Sequence, residues 1–183
     1  PGETWWDACA GEGGKSLHLS DLMRNRGLIR ATDRNLRRLA SLRARAARAQ
    51  VFNYRADPWD GSARLPFKTR FDGILVDAPC SGAGTWRRNP HARWTTSPDD
   101  VRDLAAVQLR LLENVLPLLK PGGRLVYSVC TFTRAETDAV ADALSAARPG
   151  LQPLPLFSTA PRLHLHPALT DANAMFLAAW RKT

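Results

Sequence analysis

Residues 7–16, Asp-Ala-Cys-Ala-Gly-Glu-Gly-Gly-Lys-Ser (DACAGEGGKS), form a glycine-rich turn between an apolar run and a helical pattern. Spacing tests two of the ligands such turns hold. A phosphate-cradling loop requires glycine at position 9, ahead of Gly14-Lys15-Ser16, and Cys9 stands there. A dinucleotide loop begins acceptably with Gly11 and Gly13 but meets Ser16 where its third glycine belongs. Neither pattern closes, so the decision passes to the neighbouring elements.

Working outward, residues 4–7 read as a strand entering the loop, and residues 16–24 as a helix with Leu17, Leu19, Leu22 and Met23 at helical spacing. A second strand is expected at 28–32, ending at Asp33. A basic amphipathic helix follows to about Gln50, with Leu36, Leu39, Ala40, Ala46 and Ala47 on its apolar face. Residues 51–54 read as a third strand that breaks before Asp57-Pro58. FDGILV at 71–76 is a fourth strand, nearly all apolar and so buried on both faces.

Residues 77–96 are long, polar and aperiodic, the mark of a functional connection. Ser97 then caps a helix with Pro98 at its first position and acids in its first turn, running to Leu119 and stopping at Lys120-Pro-Gly-Gly123. A fifth strand is expected at 124–128, a helix at 135–147, and strands at 151–157 and 175–180 without a long helix between them. This alternation predicts an α/β doubly wound, mostly parallel sheet with helices on both faces and an antiparallel edge.

A chain of 183 residues, 44% apolar, suits one domain over 1–183. No run approaches the roughly 18 apolar residues that cross a bilayer, and no charged-then-apolar leader opens the chain, so a cytoplasmic protein without membrane attachment is expected. Residues 1–4 lead directly into a strand, which suggests the downstream part of a longer protein. Net charge +9 favours a polyanionic partner, nucleic acid first, although 22 of the 26 basic residues are Arg, a bias that genome composition alone produces. Three cysteines without a C-x-x-C pair suggest neither a disulfide framework nor a zinc site, and no metal is expected.

In doubly wound sheets ligands bind beyond the carboxyl ends of the strands. Here those ends carry the glycine loop, Asp33, Asp57, Asp77-Ala-Pro-Cys80 and Val129-Cys130-Thr131. An acid after the second strand suits ribose hydroxyls and one after the third suits an adenine amino group, which describes an adenosine site. Glu12 would face a pyrophosphate badly, whereas a donor with a cationic head, S-adenosylmethionine, fits. Cys80 and Cys130 should converge from neighbouring strands.

Two thiols beside a methyl donor point to one chemistry. Carbon 5 of a pyrimidine becomes nucleophilic only after a thiolate adds at C6, and the thiol must later be eliminated. One cysteine attacks and the other assists release, in an order that spacing does not set. Cys9, beneath the loop, reads as a small buried apolar residue.

Together DACAGEGGKS, VDAPCSGAGTWRRNPHARW (76–94) and LKPGGRLVYSVCTFTRAE (119–136) resemble the RNA cytosine-5 methyltransferases of the RsmB/NSUN family, also called Sun or Fmu, over essentially the whole chain. The resemblance implies a Rossmann-like class I methyltransferase with a seven-stranded sheet, S-adenosylmethionine as cofactor, and RNA as substrate, ribosomal first and transfer RNA second. It makes Cys130 the nucleophile and Cys80 the release residue. Asp77 would contact the donor's methionine end and the cytosine N3/N4 edge. Cys9, Ala10, Gly11, Glu12, Gly13, Gly14 and Lys15 match the cofactor loop, Asp33 the ribose acid and Asp57 the acid near adenine. Lys15 either serves the catalytic pocket or balances Asp77.

The family loop usually reads C-A-A-P-G-G-K-T, so Gly11-Glu12 replaces Ala-Pro and Ser16 replaces Thr, which predicts a more mobile loop and weaker donor binding. Val129 stands where Thr is commoner. Arg87, Arg88 and Asn89, interleaved with Trp86, His91 and Trp94, suit single-stranded RNA; Trp94 either stacks on a base or pins its loop to the core. An amino-group methyltransferase would carry a polar-Pro-Pro-aromatic turn in place of Asp77-Ala-Pro-Cys80. A non-catalytic RNA-binding module is the remaining rival, and a monomer is expected.

Overall fold

The computed structural model describes residues 1–156, 160–169 and 172–183. The chain divides into two compact units, Pro1–Asp77 with Asn114–Leu125, and Ala78–Glu113 with Val126–Thr183.

In the first unit the strands β1 (Thr4–Asp7), β2 (Leu28–Asp33), β3 (Tyr54–Pro58) and β4 (Phe71–Asp77) lie parallel in the order β3-β2-β1-β4, with Thr4 opposite Leu28, Trp5 opposite Gly73 and Ile29 opposite Tyr54. Helix α1 (Gly14–Leu22) follows β1, and α2 (Leu36–Arg48) follows β2. Apolar side chains that leave both faces of β4 are buried, as its composition requires. Trp6 is fully buried against Trp59, Phe67 and Phe71 with ring centroids 4.9, 5.0 and 5.6 Å away. Its indole N–H donates to Thr32 Oγ1 at 2.9 Å. Truncating a ring so placed costs about 3–5 kcal/mol.

Helix α2 is capped by Asn35, whose side chain accepts from the amides of Arg37 and Arg38. It buries Leu39, Leu42 and Ala46, whereas Leu36, Ala40 and Ala47 are exposed, so the inner stripe is rotated from the expected face. Helix α1 departs further from its expected apolar face. Leu22 is exposed, and the inward residues Ser16, Ser20 and Met23 include two hydroxyls, bonded to Asp7 and to Asn53 Oδ1. Strand β3 begins three residues later than expected because Val51 still belongs to the end of α2, donating its amide to Ala46 O at 3.0 Å; Asp57 therefore lies inside the strand.

In the second unit, the aperiodic segment after β4 contains a 3-10 turn (Ala83–Thr85) and a short helix α3 (Pro90–Thr95), neither of them foreseen. Helix α4 (Pro98–Val115) starts at the expected cap, with the Asp100 amide donating to Ser97 Oγ and the Ser97 amide to Asp100 Oδ2. It gives way at Leu116 to a 3-10 turn containing Pro117, short of the expected end, since proline removes a helical donor. Strand β5 (Leu119–Val129), which belongs to the first unit as far as Leu125 and to the second from Val126, takes in Lys120-Pro-Gly-Gly123, where a stop was expected.

Helix α5 (Asp138–Ala147) begins after a separate 3-10 turn at Arg134–Glu136, later than expected, because Glu136 turns inward. The short β6 (Leu151–Pro153) and an additional β7 (Arg162–Leu165) both pair antiparallel with β8 (Met175–Lys182), so the antiparallel edge among the described residues has three strands, β7 standing beside the expected seven. Phe157, the expected end of β6, lies outside the described residues. Arg162 fastens β7 to α5 through Asp138 at 2.9 Å and Asp142 at 2.6 Å. Tyr127, Phe176, Leu144 and Trp180 fill this unit's core.

Candidate active site

The glycine loop of the first unit is shaped by its backbone. Gly11 has φ +55°, a conformation that calls for glycine, and a Cβ there would displace the Arg38 guanidinium, whose Nη2 lies 2.3 Å from its place. Its amide donates to Asp33 Oδ2 at 2.9 Å, while Asp33 Oδ1 caps the next turn through the Asn35 amide at 2.8 Å. The Gly13 amide reaches Ala10 O at 2.9 Å, and Arg45 Nη1 holds Glu12 O at 3.0 Å. Those bonds brace the loop where a proline is missing. Asp33 is thus nearly buried and engaged by the loop and by Arg38 at 3.5 Å.

Beneath the loop lies Asp7, fully buried, accepting from Ser16 Oγ at 2.6 Å through one oxygen; its other oxygen has no hydrogen-bond partner among the described residues. Burial raises its pKa from 3.8 to about 7 despite the Ser16 hydrogen bond. Burial, and then the carboxylates of Asp7, Asp33 and Asp77, push the Cys9 thiol well above its ordinary range, so it stays protonated and unreactive. Lys15 Nζ lies 2.6 Å from Asp77 Oδ2, the ion-pair alternative for that lysine. Asp57 pairs with Arg30 at 2.7 Å.

A cavity opens beyond the carboxyl ends of β2 and β3. It measures about 300 Å³ and is lined by Arg34, Pro58, Trp59 and Asp60, directly beyond Asp33 and Asp57. Arg64 lines it as well as Arg34; the acids Asp33, Asp57 and Asp77 at the strand ends, with Glu12 exposed at the loop tip, fit a donor with a cationic head better than a pyrophosphate.

The thiols are organised by side chains of the second unit. Cys80 Sγ and Cys130 Sγ lie 3.4 Å apart without a disulfide. The Ala78 amide donates to Ser128 O, and the Gly84 amide to Cys130 O, both at 3.0 Å. Gly84 permits a close approach, since a Cβ there would meet Ala174 O at 2.4 Å. The hydrogen bond to Cys130, and then burial, push Cys80 upward, so the pair holds on to at least one of its two protons.

Behind the thiols sits Glu136, fully buried and absent from the sequence reading. Its Oε1 accepts from the Ser81 amide at 2.8 Å and Gln108 Nε2 at 3.1 Å; its Oε2 accepts from Ser81 Oγ at 2.5 Å and Thr133 Oγ1 at 2.7 Å, with Thr131 Oγ1 at 3.2 Å. Ser81 and Thr131 each follow one of the two cysteines. Gln108 also donates to Pro79 O at 3.0 Å, and the Tyr127 hydroxyl donates to Glu136 O at 2.6 Å. Burial raises the Tyr127 pKa, keeping that donor protonated. The available signal was the cluster of Ser81, Thr131 and Thr133, three hydroxyls requiring an acceptor.

Arg87, Arg88 and Asn89 are exposed on the turn after Cys80, as are His91 and Trp94. Trp94 is 80% exposed, which rules out its pinning the loop; the half-buried Trp86 is the inward ring.

The family model described as 16S rRNA methyltransferase RsmB/F matches residues 1–181. The chain belongs to the RsmB/F family. Members of this NSUN-type family are S-adenosylmethionine-dependent RNA cytosine-5 methyltransferases. It is 38% identical to the probable ribosomal RNA small subunit methyltransferase B of Bacillus subtilis, over 98% of this chain and 43% of that protein. It is 36% identical to the ribosomal RNA small subunit methyltransferase F of Escherichia coli, over 97% of this chain and 40% of that protein. The chain therefore spans less than half the length of these curated RsmB/F relatives. Among solved structures, a methyltransferase homolog from Pyrococcus horikoshii superposes with a TM-score of 0.87 at 32% identity, covering 100% of this chain and 62% of that one. NSun6 from the same organism gives 0.87 at 26% identity over 98% and 48%. The class I methyltransferase fold follows.

No helix among the described residues is long and apolar enough to cross a membrane, and no group of three or more His, Cys, Asp or Glu among them is placed to hold a metal ion.

Proposed function

We propose that this RsmB/F chain is a catalytic domain that methylates C5 of a cytosine in RNA, ribosomal RNA before transfer RNA, acting as a cytoplasmic monomer. The observation that carries the reading is the pair of unbridged thiols 3.4 Å apart, each followed by a hydroxyl residue held by one buried carboxylate. S-adenosylmethionine, when bound, supplies an electrophilic methyl group. The loop from Cys9 to Lys15 would hold it, with Asp33 toward the ribose, Asp57 toward adenine and Asp77 toward the methionine end.

Cys130 Sγ, as thiolate, adds to C6 and forms the S–C6 bond, shifting the C5=C6 electron pair toward C5. Asp77 would accept a hydrogen bond from the cytosine N4 amino group and so orient the ring for attack. After C5 takes the methyl group, its proton leaves to a base, the C5=C6 double bond re-forms and the S–C6 bond breaks, returning Cys130 as thiolate. Cys80 assists that elimination. The paired thiols suit the division of labour, because one stays protonated when the other ionises. Arg87, Arg88 and Asn89 would hold the RNA backbone while the target base is taken out of its stack.

The test is transfer of labelled methyl from S-adenosylmethionine to unmodified ribosomal and transfer RNA, with nucleoside analysis of the product. Label in 5-methylcytidine of ribosomal RNA is expected. A protein that binds neither donor nor RNA would instead be a non-catalytic module.

A further inference from the structure

The second unit carries a cavity of about 480 Å³, walled by the turns that follow the two thiols, that the reaction chemistry does not use. Its lining includes Trp86, Arg87, Arg93 and Trp94 from the turn after Cys80 and α3, and Phe132 from the turn after Cys130. Two of these rings face outward to an unusual degree: Trp94 is 80% exposed and Phe132 51%. A large aromatic side chain left in water forgoes most of its burial energy, and two on one cavity mark a surface that receives something.

The rim identifies the guest by charge. Arg87 and Arg93 line the cavity and are exposed, as is Arg88 next to Arg87 in the chain, and the Arg93 guanidinium lies 5.5 Å from the Trp94 ring centroid. Cationic groups around exposed aromatic faces match a flat base carried on a phosphate backbone, because the rings offer stacking while the arginines meet the phosphates. Position narrows the choice of base. Phe132 is two residues from Cys130, and Ala83 on the cavity wall precedes Gly84, whose amide is bonded to Cys130 O at 3.0 Å. A base held here is a close neighbour of the one undergoing attack.

We infer that Trp94 and Phe132 form a stacking subsite for an unpaired nucleobase flanking the target cytosine, making a single-stranded segment around that cytosine a requirement for binding. This inference rests on the RNA reading of the site.

The experiment is anisotropy titration of the full-length protein with a labelled single-stranded oligocytidylate, and with the same oligomer carrying abasic residues, alongside melting temperatures. Trp94→Ala and Phe132→Ala should each weaken oligocytidylate binding on the order of tenfold, Trp94→Phe should restore most of it, and none should differ from wild type on the abasic oligomer. Arg88→Ala should weaken both oligomers alike and reduce the salt slope by about one. Equal losses on both oligomers for Trp94→Ala would overturn the subsite while leaving RNA binding intact. Unchanged binding with a lowered melting temperature would mean that the rings are covered by protein, and would overturn it too. A wild-type protein binding neither oligomer would remove the RNA reading and this inference together.

Discussion

The two chemical regions of this RsmB/F chain are built by different means. In the glycine loop the backbone sets the shape: Gly11 at φ +55° gives its amide to Asp33, and acids stand at consecutive strand ends. At the thiols, long-range side-chain bonds set the shape, with Glu136 gathering donors from residues 81, 108, 131 and 133. A site made by backbone conformation leaves glycines in the sequence. One made by convergence leaves ordinary Ser, Thr and Glu whose partners lie far along the chain. It follows that the two should fail separately when perturbed.

The largest separation should come from Cys130→Ala, which removes the proposed nucleophile while leaving the first unit untouched. Methyl transfer should fall by on the order of a thousandfold or more, with donor affinity by calorimetry within about twofold of wild type. A comparable loss of donor binding would break the distinction between the regions.

Glu136→Ala comes next, because it strands five hydrogen-bond contacts in a buried setting. We expect a stability loss of about 3 kcal/mol in urea unfolding and, in the folded fraction, a kcat lower by roughly 100-fold with donor affinity preserved. Glu136→Gln, which keeps the shape but turns one acceptor into a donor, should lie between wild type and Ala. A Glu136→Ala protein with full kcat would mean that the carboxylate holds the fold without placing the thiols.

Gly11→Ala tests the opposite region. A side chain at φ +55° that also displaces Arg38 should cost about 1–2 kcal/mol and weaken donor binding, yet leave the rate of Cys130 alkylation unchanged.

A pH dependence of stability gives a separate readout of the first unit. A carboxyl raised from 3.8 to about 7 on folding binds its proton more tightly in the native state, so the stability associated with Asp7 declines as pH rises through that interval and levels off above it. Asp7→Asn retains an acceptor for Ser16 and removes the titration. Its urea midpoint should therefore change less than that of wild type between about pH 4 and about pH 7. Parallel profiles would show that Asp7 does not titrate in this window.

What the sequence made legible follows the same division. Strand β4, the loop at 8–13, the Ser97 cap and the doubly wound α/β order announce themselves through local composition, and the cysteine pair through its two turns. Boundaries set by tertiary contacts did not. Val51 completes α2 instead of opening β3, Lys120–Gly123 continue a strand despite their turn-like composition, and Glu136 breaks the start of α5 to turn inward. The inner face of α1 carries Ser16 and Ser20, polar residues that periodicity assigns to the outside until their partners Asp7 and Asn53 are known. Strand β7 has little apolar pattern of its own and is defined by its pairing with β8.

The central claim is that Cys130 bonds to the cytosine and Cys80 frees it. Its most direct test is to incubate wild type, Cys80→Ala, Cys130→Ala and the double variant with S-adenosylmethionine and ribosomal RNA, then look for a denaturation-resistant protein–RNA complex. Cys80→Ala alone should accumulate the complex, and the second substitution, Cys130→Ala, should abolish it. A complex that persists without Cys130, or 5-methylcytidine formed by Cys130→Ala, would contradict the assignment.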